Sequence, residues 1–536
     1  MGFHDSWKNA EDAAPCRLVH TRRQGTAKTA RQIVMEKLSA PYQFCCKETL
    51  VTSRREFLQK AGLGFGSLAA SFLMSRDGAA TQPSTQTPTQ PETASPFAAG
   101  MTHVPATATN VIFLFMHGGP SHIDTFDPKP LLTELDGQPV PPSFGAEDFQ
   151  FTRVAKVPLM ASRQKFQPRG ESGIEISDLF PQTAQHADKL AVIRSCYHDG
   201  FTHVTGQNWL NTGWPRVGRP SVGSWTVYGL GTENENLPAF VVLLDGPIAA
   251  GAPVYGPGFL PGMYQGTVLR SDGPPILNVN PPTQLQGEDQ RQIMKMLARY
   301  NRLHLEQRQE DAELAARIAS YELAFRMQAS VPELVDLSRE TTATEHLYGL
   351  DQETSREFGT QCLMARRMVE RGVRFVQVYS GGRKGGGGAG WDGHVELVKN
   401  HRTMAAQVDQ PIAGLLSDLE QRGLLDSTLV IWGGDFGRTP FADGLKESSQ
   451  GRDHNPYGFT VWMAGGGIRG GKVIGATDEI GFRATEDKIH VHDLHATILG
   501  LLGIDHERLT YFTQGREFRL TDIGGHDHLT QRLLAS

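Results

Sequence analysis

The stretch Thr428 to Pro440 reads TLVIWGGDFGRTP. Thr428 to Trp432 are strand formers, Gly433-Gly434 follow, and Asp435 stands where the backbone must turn. Upstream, Gln410 to Arg422 (QPIAGLLSDLEQR) has apolar residues at helical spacing, and Gly423 is placed to stop that helix. Helix, short loop, buried strand and an acid at the strand's carboxyl end make one half of an α/β sheet. In open sheets of that kind chemistry collects at those ends. The expected fold is α/β: a central, mostly parallel sheet flanked by helices, with long loop insertions.

Other segments repeat the pattern. Asn110 to Met116 (NVIFLFM) is a continuous apolar run suited to a central parallel strand, and it ends in His117-Gly-Gly-Pro-Ser121-His122-Ile-Asp124. Ser121 or Asp124 there also suits a helix cap. Leu190 to Arg194 reads as a short strand, followed by His198, Asp199 and then Thr202-His203 before a segment that reads as a helix. The helix Phe358 to Arg371 feeds a strand Val373 to Tyr379, then a glycine-rich loop, then Trp391-Asp392-Gly393-His394. An Asp and a His two apart at a strand's end can both reach one divalent ion. Glu288 to Gln328, free of Gly and Pro, reads as one or two helices outside the sheet, interrupted by Pro332. Gly465 to Gly471 reads as a hairpin turn. His490, His492 and His495 read as a surface cluster with Asp493 as a helix cap, and His526, Asp527 and His528 as tail residues.

Composition narrows the class. The chain has 536 residues, 39% hydrophobic, with a net charge of -6 and a pI near 6.3, which gives no reason to expect nucleic acid. Five cysteines include no CxxC pair, which excludes a disulfide scaffold and a thiolate metal site, while pairing of Cys196 with Cys362 stays open. No GxSxG elbow is present, which excludes an ordinary serine hydrolase.

The amino-terminal region divides into a basic extension, 1–52, an export signal, 53–78, and a Thr/Pro-rich disordered tether, 79–109. The signal is read from Ser53-Arg54-Arg55-Glu56-Phe57-Leu58 before a Gly/Ala-rich apolar run of about 14 residues, too short to span a bilayer comfortably. That is the twin-arginine (Tat) pattern. It implies the Tat machinery as a partner, a periplasmic or extracellular location, and no membrane span once the signal is removed. The remaining domain is expected over 110–525.

Several segments in order resemble the alkaline-phosphatase and sulfatase superfamily. Asn110 to Gly118 is similar to its first strand, and Arg422 to Phe436 to the helix and strand that lead to a metal-binding Asp. The twin arginine with GGPSHIDTFDPKP, GGDFGRTP, GRDHNP and GGGIRGGKVIGATDE resembles, more narrowly, the exported sulfatase-like family catalogued as domain of unknown function number 1501. The resemblance implies one or two divalent ions, zinc, calcium or magnesium. Asp392, His394 and His454 would hold one, with Asp435 and His117 near a second. It implies a nucleophile nine residues before Thr212-Gly213, a place taken by His203, with Thr202 beside it. Ser121, His122, Arg438 and Arg452 are the candidates to hold substrate, and Phe436 stands where the superfamily has His or Asn. The implied activity is hydrolysis of sulfate or phosphate esters, of polysaccharides or small molecules. The rival reading is an exported binding protein that keeps the fold without turnover.

Overall fold

The computed structural model describes residues 100, 102–144, 157–270, 287–308, 312–382, 390–443 and 450–535. The chain divides into two units, 1–90 and 91–536, and every described residue lies in the second. The expected extension, the export signal and most of the tether fall outside the described residues.

Nine strands form the central sheet. In chain order they are β1 (Asn110–Met116), β2 (Ala191–Tyr197), β3 (Phe240–Leu244), β4 (Thr267–Arg270), β5 (Phe375–Ser380), β6 (Thr428–Gly434), β7 (Phe459–Gly465), β8 (Lys472–Ile474) and β9 (Ile489–His490). Their spatial order is β8-β2-β7-β6-β1-β5-β3-β4, with β9 also beside β2. Only β7 runs against the rest, antiparallel to both β2 and β6. The expected α/β architecture is the one observed.

Period-two alternation sends neighbouring residues to opposite faces. Ile112, Leu114, Val430 and Trp432 enter one core, covered by the helices Arg356–Val369 and Leu397–Gln421. Val111, Phe113, Leu429 and Ile431 enter the other, covered by α1 (His203–Thr212), α2 (Val222–Leu230) and α3 (Val491–Leu501). With both faces buried, β1 and β6 must be apolar throughout, as their sequences are. Cys196 and Cys362 are free and lie in different cores, so the open question of their pairing closes against a disulfide.

Several local expectations are revised. The 288–328 region forms Glu288–Glu306 and then Ala312–Val335, and the second helix continues through Pro332. Gly465 to Gly471 is no hairpin, because β7 and β8 both pair with β2 from opposite sides. The folded unit begins upstream of Asn110: His103 and Val104 donate to the Gly503 carbonyl, and Thr107 and Ala108 to that of Leu501. It also reaches past 525, since Leu529 and Leu533 of the helix His528–Leu534 are fully buried.

His492 and His495 are buried rather than on the surface. Their Nε2 atoms donate to the carbonyls of Gly213 and Leu210, each at 2.8 Å, and so satisfy the carboxyl end of α1. Burial pushes the His495 pKa down to about 3, against an ordinary 6.5. The neutral ring therefore stabilises the fold fully above pH 6.5, and that contribution is lost as pH falls from 6.5 toward 3. Urea unfolding of His495→Gln should show an acid-side slope shallower than wild type by roughly one proton, about 1.4 kcal/mol per pH unit. Equal slopes would place the acid sensitivity elsewhere.

Candidate metal centre

Because β1, β2, β3, β5 and β6 run the same way, their carboxyl ends share one edge of the sheet. Residues immediately after them are His117, His198, Asp245, Gly381 and Asp435. The reversed β7 begins at that edge, so the segment before it brings His454 there too. The turn carrying Asp392 is pinned to the end of β1, where Trp391 N–H donates to the His117 carbonyl at 3.0 Å. Helix α1 starts at His203, with Thr202 as its cap: the Thr202 hydroxyl accepts from Thr205 N–H and the pair form a capping box.

Asp392 sits at the focus. Its Oδ1 is 2.6 Å from Arg438 Nη2, 3.1 Å from His394 Nε2 and 3.3 Å from His454 Nε2. Its Oδ2 is 3.3 Å from His203 Nε2. The two imidazole nitrogens of His394 and His454 lie 3.0 Å apart. On its far side each ring meets a fixed acceptor. His203 Nδ1 is 2.6 Å from Asp435 Oδ2, His394 Nδ1 is 2.8 Å from Asp443 Oδ2, and His454 Nδ1 donates to the Phe201 carbonyl at 2.8 Å. A ring whose Nδ1–H is held by an oxygen presents Nε2 as a lone pair, the tautomer in which histidines bind metals.

The groups His203/Asp392/His454 and His394/Asp453/His454 each bring one ligand atom per residue to within 4.8 Å of one another. These residues fit an ion. Asp392, Asp435, Asp443 and Asp453 lie against these imidazoles and oppose a single guanidinium, Arg438, an excess of negative charge that a divalent cation would offset with the imidazoles neutral. Asp435 Oδ1 and His117 Nδ1 are both buried without a hydrogen-bond partner. Neither residue belongs to a group of ligand atoms close enough to share an ion among the described residues, and His117 Nε2 accepts from Ala249 N–H at 3.3 Å.

The electrostatics carry the same sign. Burial alone works to lower the His203 pKa, but its bonds to Asp392 and Asp435 outweigh this and hold it at about 9. Burial likewise works to raise Asp392, yet the bonds from His203, His394 and His454 and the Arg438 charge put it far below the usual carboxylate range. Asp435 is lowered despite full burial, chiefly by its bond to His203. His117 is lowered by burial. The site demands positive charge, and in its absence His203 supplies it as a proton.

Other expected site residues are placed differently. Arg438 is fully buried, donating to the Gly118, Gly119 and Arg452 carbonyls as well as to Asp392. Ser121, Asp124 and Arg452 are buried and joined: Ser121 Oγ donates to Asp124 Oδ2 at 2.5 Å, and Arg452 Nε to the same oxygen at 2.9 Å. His122 is buried and donates to the Gly481 carbonyl at 2.8 Å. The expectation placed Ser121, His122 and Arg452 against substrate; in the structure all three are buried and bonded within the protein, with Arg452 Nη2 left without a hydrogen-bond partner. Phe436, also buried, has its ring centroid 4.3 Å from that of His454 and 5.2 Å from that of His203, and so packs against both imidazoles, which meet each other edge-on at 4.4 Å.

Three contributors were not singled out in the sequence. Gln207 donates to Asp435 Oδ2 at 3.2 Å, and its i, i+4 spacing from His203 on α1 was a readable signal. Asp443 and the Phe201 carbonyl carry none, because only tertiary packing brings them to their histidines. A cavity of about 440 Å³ opens beside Asp392, walled in part by Asp245, Ser380, Gly381, Glu396, Lys399 and Asn400.

Fold and site together define an α/β protein with a cluster of His and Asp side chains, of a kind that could hold a metal ion, at the carboxyl edge of its sheet. The chain belongs to the family described as "Protein of unknown function (DUF1501)", whose model matches residues 108–534. No curated protein matches it. Among solved structures it is similar to a sulfatase from Pseudoalteromonas sp. (14% identity, 80% of this chain and 72% of that one, TM-score 0.35). It is also similar to a lipoteichoic acid synthase from Listeria monocytogenes (9%, 81% and 80%, TM-score 0.34). A third is a phosphonate monoester hydrolase from Silicibacter pomeroyi (12%, 78% and 77%, TM-score 0.32). Among the described residues no helix is long and apolar enough to cross a membrane.

Proposed function

We propose that this protein is an exported, metal-dependent hydrolase of sulfate or phosphate esters. One observation carries the reading: three imidazole Nε2 atoms converge on Asp392 while each Nδ1 is anchored to an oxygen. We assign Asp392, His203, His394 and His454 to the ion, with Asp435 and Asp443 orienting the rings. The mixed nitrogen and oxygen set suits zinc better than calcium or magnesium, which prefer all-oxygen shells. A bound divalent ion supplies Lewis acidity, polarising an ester oxygen and acidifying a water. Arg438 neutralises Asp392 without occupying the ester, and Phe436 keeps bulk water from the back of the rings. Thr202 is committed to capping α1, so the nucleophile in this reading is water. Export rests on the twin-arginine segment in 53–78.

The test is metal analysis of protein purified without chelator, with a panel of aryl sulfates and phosphates. Wild type should hold an ion and hydrolyse at least one class, and His203→Ala and His454→Ala should lose both together. His203→Ala that keeps its metal but loses turnover would instead make His203 the nucleophile or base. Metal without hydrolysis, combined with retention on a polysaccharide column, would give the binding-protein reading. Asp435→Asn, which removes the carboxylate that His203 Nδ1 and Gln207 share, should weaken metal affinity about 10–100-fold as read by competition with a chelating dye. An unchanged affinity would remove Asp435 from the metal's support.

A further inference from the structure

A second histidine cluster lies on the same chain, away from Asp392. The 526–528 segment, read in the sequence as a tail, folds back onto the start of α3. Asp493 is not the cap of that helix. His490 is, and Asp493 reciprocates by accepting His490 N–H on Oδ2 at 2.9 Å. Its other oxygen, Oδ1, accepts both the backbone N–H and the Nδ1–H of His526, each at 2.9 Å. His528 stands beside them, and Asp493, His526 and His528 bring ligand atoms to within 4.8 Å of one another. Asp493 is buried, His526 exposed and His528 half-buried, and all three line an open cavity with Tyr197, Lys488 and His490.

We infer that Asp493, His526 and His528 form a second divalent-cation site, separate from the Asp392 centre, that takes zinc or a similar borderline metal. A carboxylate oxygen and an imidazole nitrogen 2.9 Å apart have the spacing of two ligands on one zinc ion, given Zn–O and Zn–N bonds of about 2.0–2.2 Å. In the metal-free protein the His526 Nδ1–H bridges them; an ion bound there would take Nδ1 as a lone pair, with the ring proton on Nε2. A third ligand from His528 leaves one tetrahedral position for water, so the donor set is N₂O plus solvent. Two different elements supply these ligands, which defines the consequence of filling the site. Helix Val491–Leu501 holds Asp493, while the carboxyl-terminal segment holds both histidines. That segment is otherwise fastened by buried Leu529 and Leu533 and by the 3.1 Å bond from Thr530 Oγ1 to Thr497 Oγ1. A bound ion would staple the chain's end to the helix whose His492 and His495 in turn hold α1.

The test uses full-length protein stripped with chelator and titrated with zinc by calorimetry and thermal melting. His526→Ala/His528→Ala, neither of them a buried residue, should melt like wild type without zinc, bind one fewer zinc per chain, and lose part of the zinc-induced rise in Tm. His454→Ala supplies the converse arm, losing the Asp392 ion while keeping the zinc removed by His526→Ala/His528→Ala. An unchanged stoichiometry and Tm shift in the His526/His528 variant would overturn the site. Loss of all zinc in His454→Ala would overturn it equally. Failure of the ester panel would bear only on the proposed hydrolase.

Discussion

Asp392→Ala is expected to abolish metal binding and, in chelator-treated protein, to cost about 3 kcal/mol of unfolding free energy. The second effect comes from Arg438. Its side chain is 0% exposed and its closest carboxylate is Asp392, so truncation leaves a buried guanidinium with carbonyl partners alone. Removing one member of such a pair costs more than the pair itself contributes, because the surviving charge keeps its desolvation penalty. Urea denaturation of the ion-free forms separates this structural loss from the loss of ligand. Asp392→Asn, which keeps an oxygen for Arg438, should recover part of the stability and little of the metal affinity. A cost below about 1 kcal/mol for Asp392→Ala would show that the carbonyls of Gly118, Gly119 and Arg452 suffice for Arg438.

Gly118→Ala is expected to be as damaging, through the backbone. Gly118 has φ +110, and a Cβ there would lie 2.6 Å from Asp392 N and 2.7 Å from Trp391 N. Those are main-chain atoms of the turn that presents the central carboxylate, so the side chain cannot be accommodated by a rotamer change. Strain at φ and displacement of the turn together should cost about 3–4 kcal/mol. Zinc affinity should fall with stability, since Asp392 moves away from three imidazoles. Gly137→Ala is the control: φ is +77 but nothing lies within 4 Å of the added carbon. It should lose only the conformational part, about 1–2 kcal/mol. Similar melting temperatures for the two variants would mean that close approach at Gly118 is unimportant.

The histidines show where sequence reading stops. HVHDLH looks like a polar surface run, because three histidines among few apolar residues carry no hydrophobic face of their own. They are divided among different tasks by what surrounds them: His490 caps α3, while His492 and His495 hold the carboxyl end of α1. The same holds for GGPSHID. Ser121 and His122 are the polar residues one would aim at a substrate, yet they are buried and bound to Asp124 and Gly481.

The sequence alone determined the sheet and its orientation. Continuous apolar runs in β1 and β6 can only be central strands buried on both faces, and helix–strand alternation makes most neighbours parallel. It follows locally that His117, His203, Asp435 and Asp392 lie after strand ends, since period and turn residues are short-range properties. Only the tertiary structure decided which of them meet. The reversed strand β7 delivers His454, the close contact at Gly118 sets Asp392 against β1, and Asp443 reaches His394 across 49 positions of sequence. Those meetings depend on strand order and on backbone approach between segments far apart in the chain, and no local pattern encodes either.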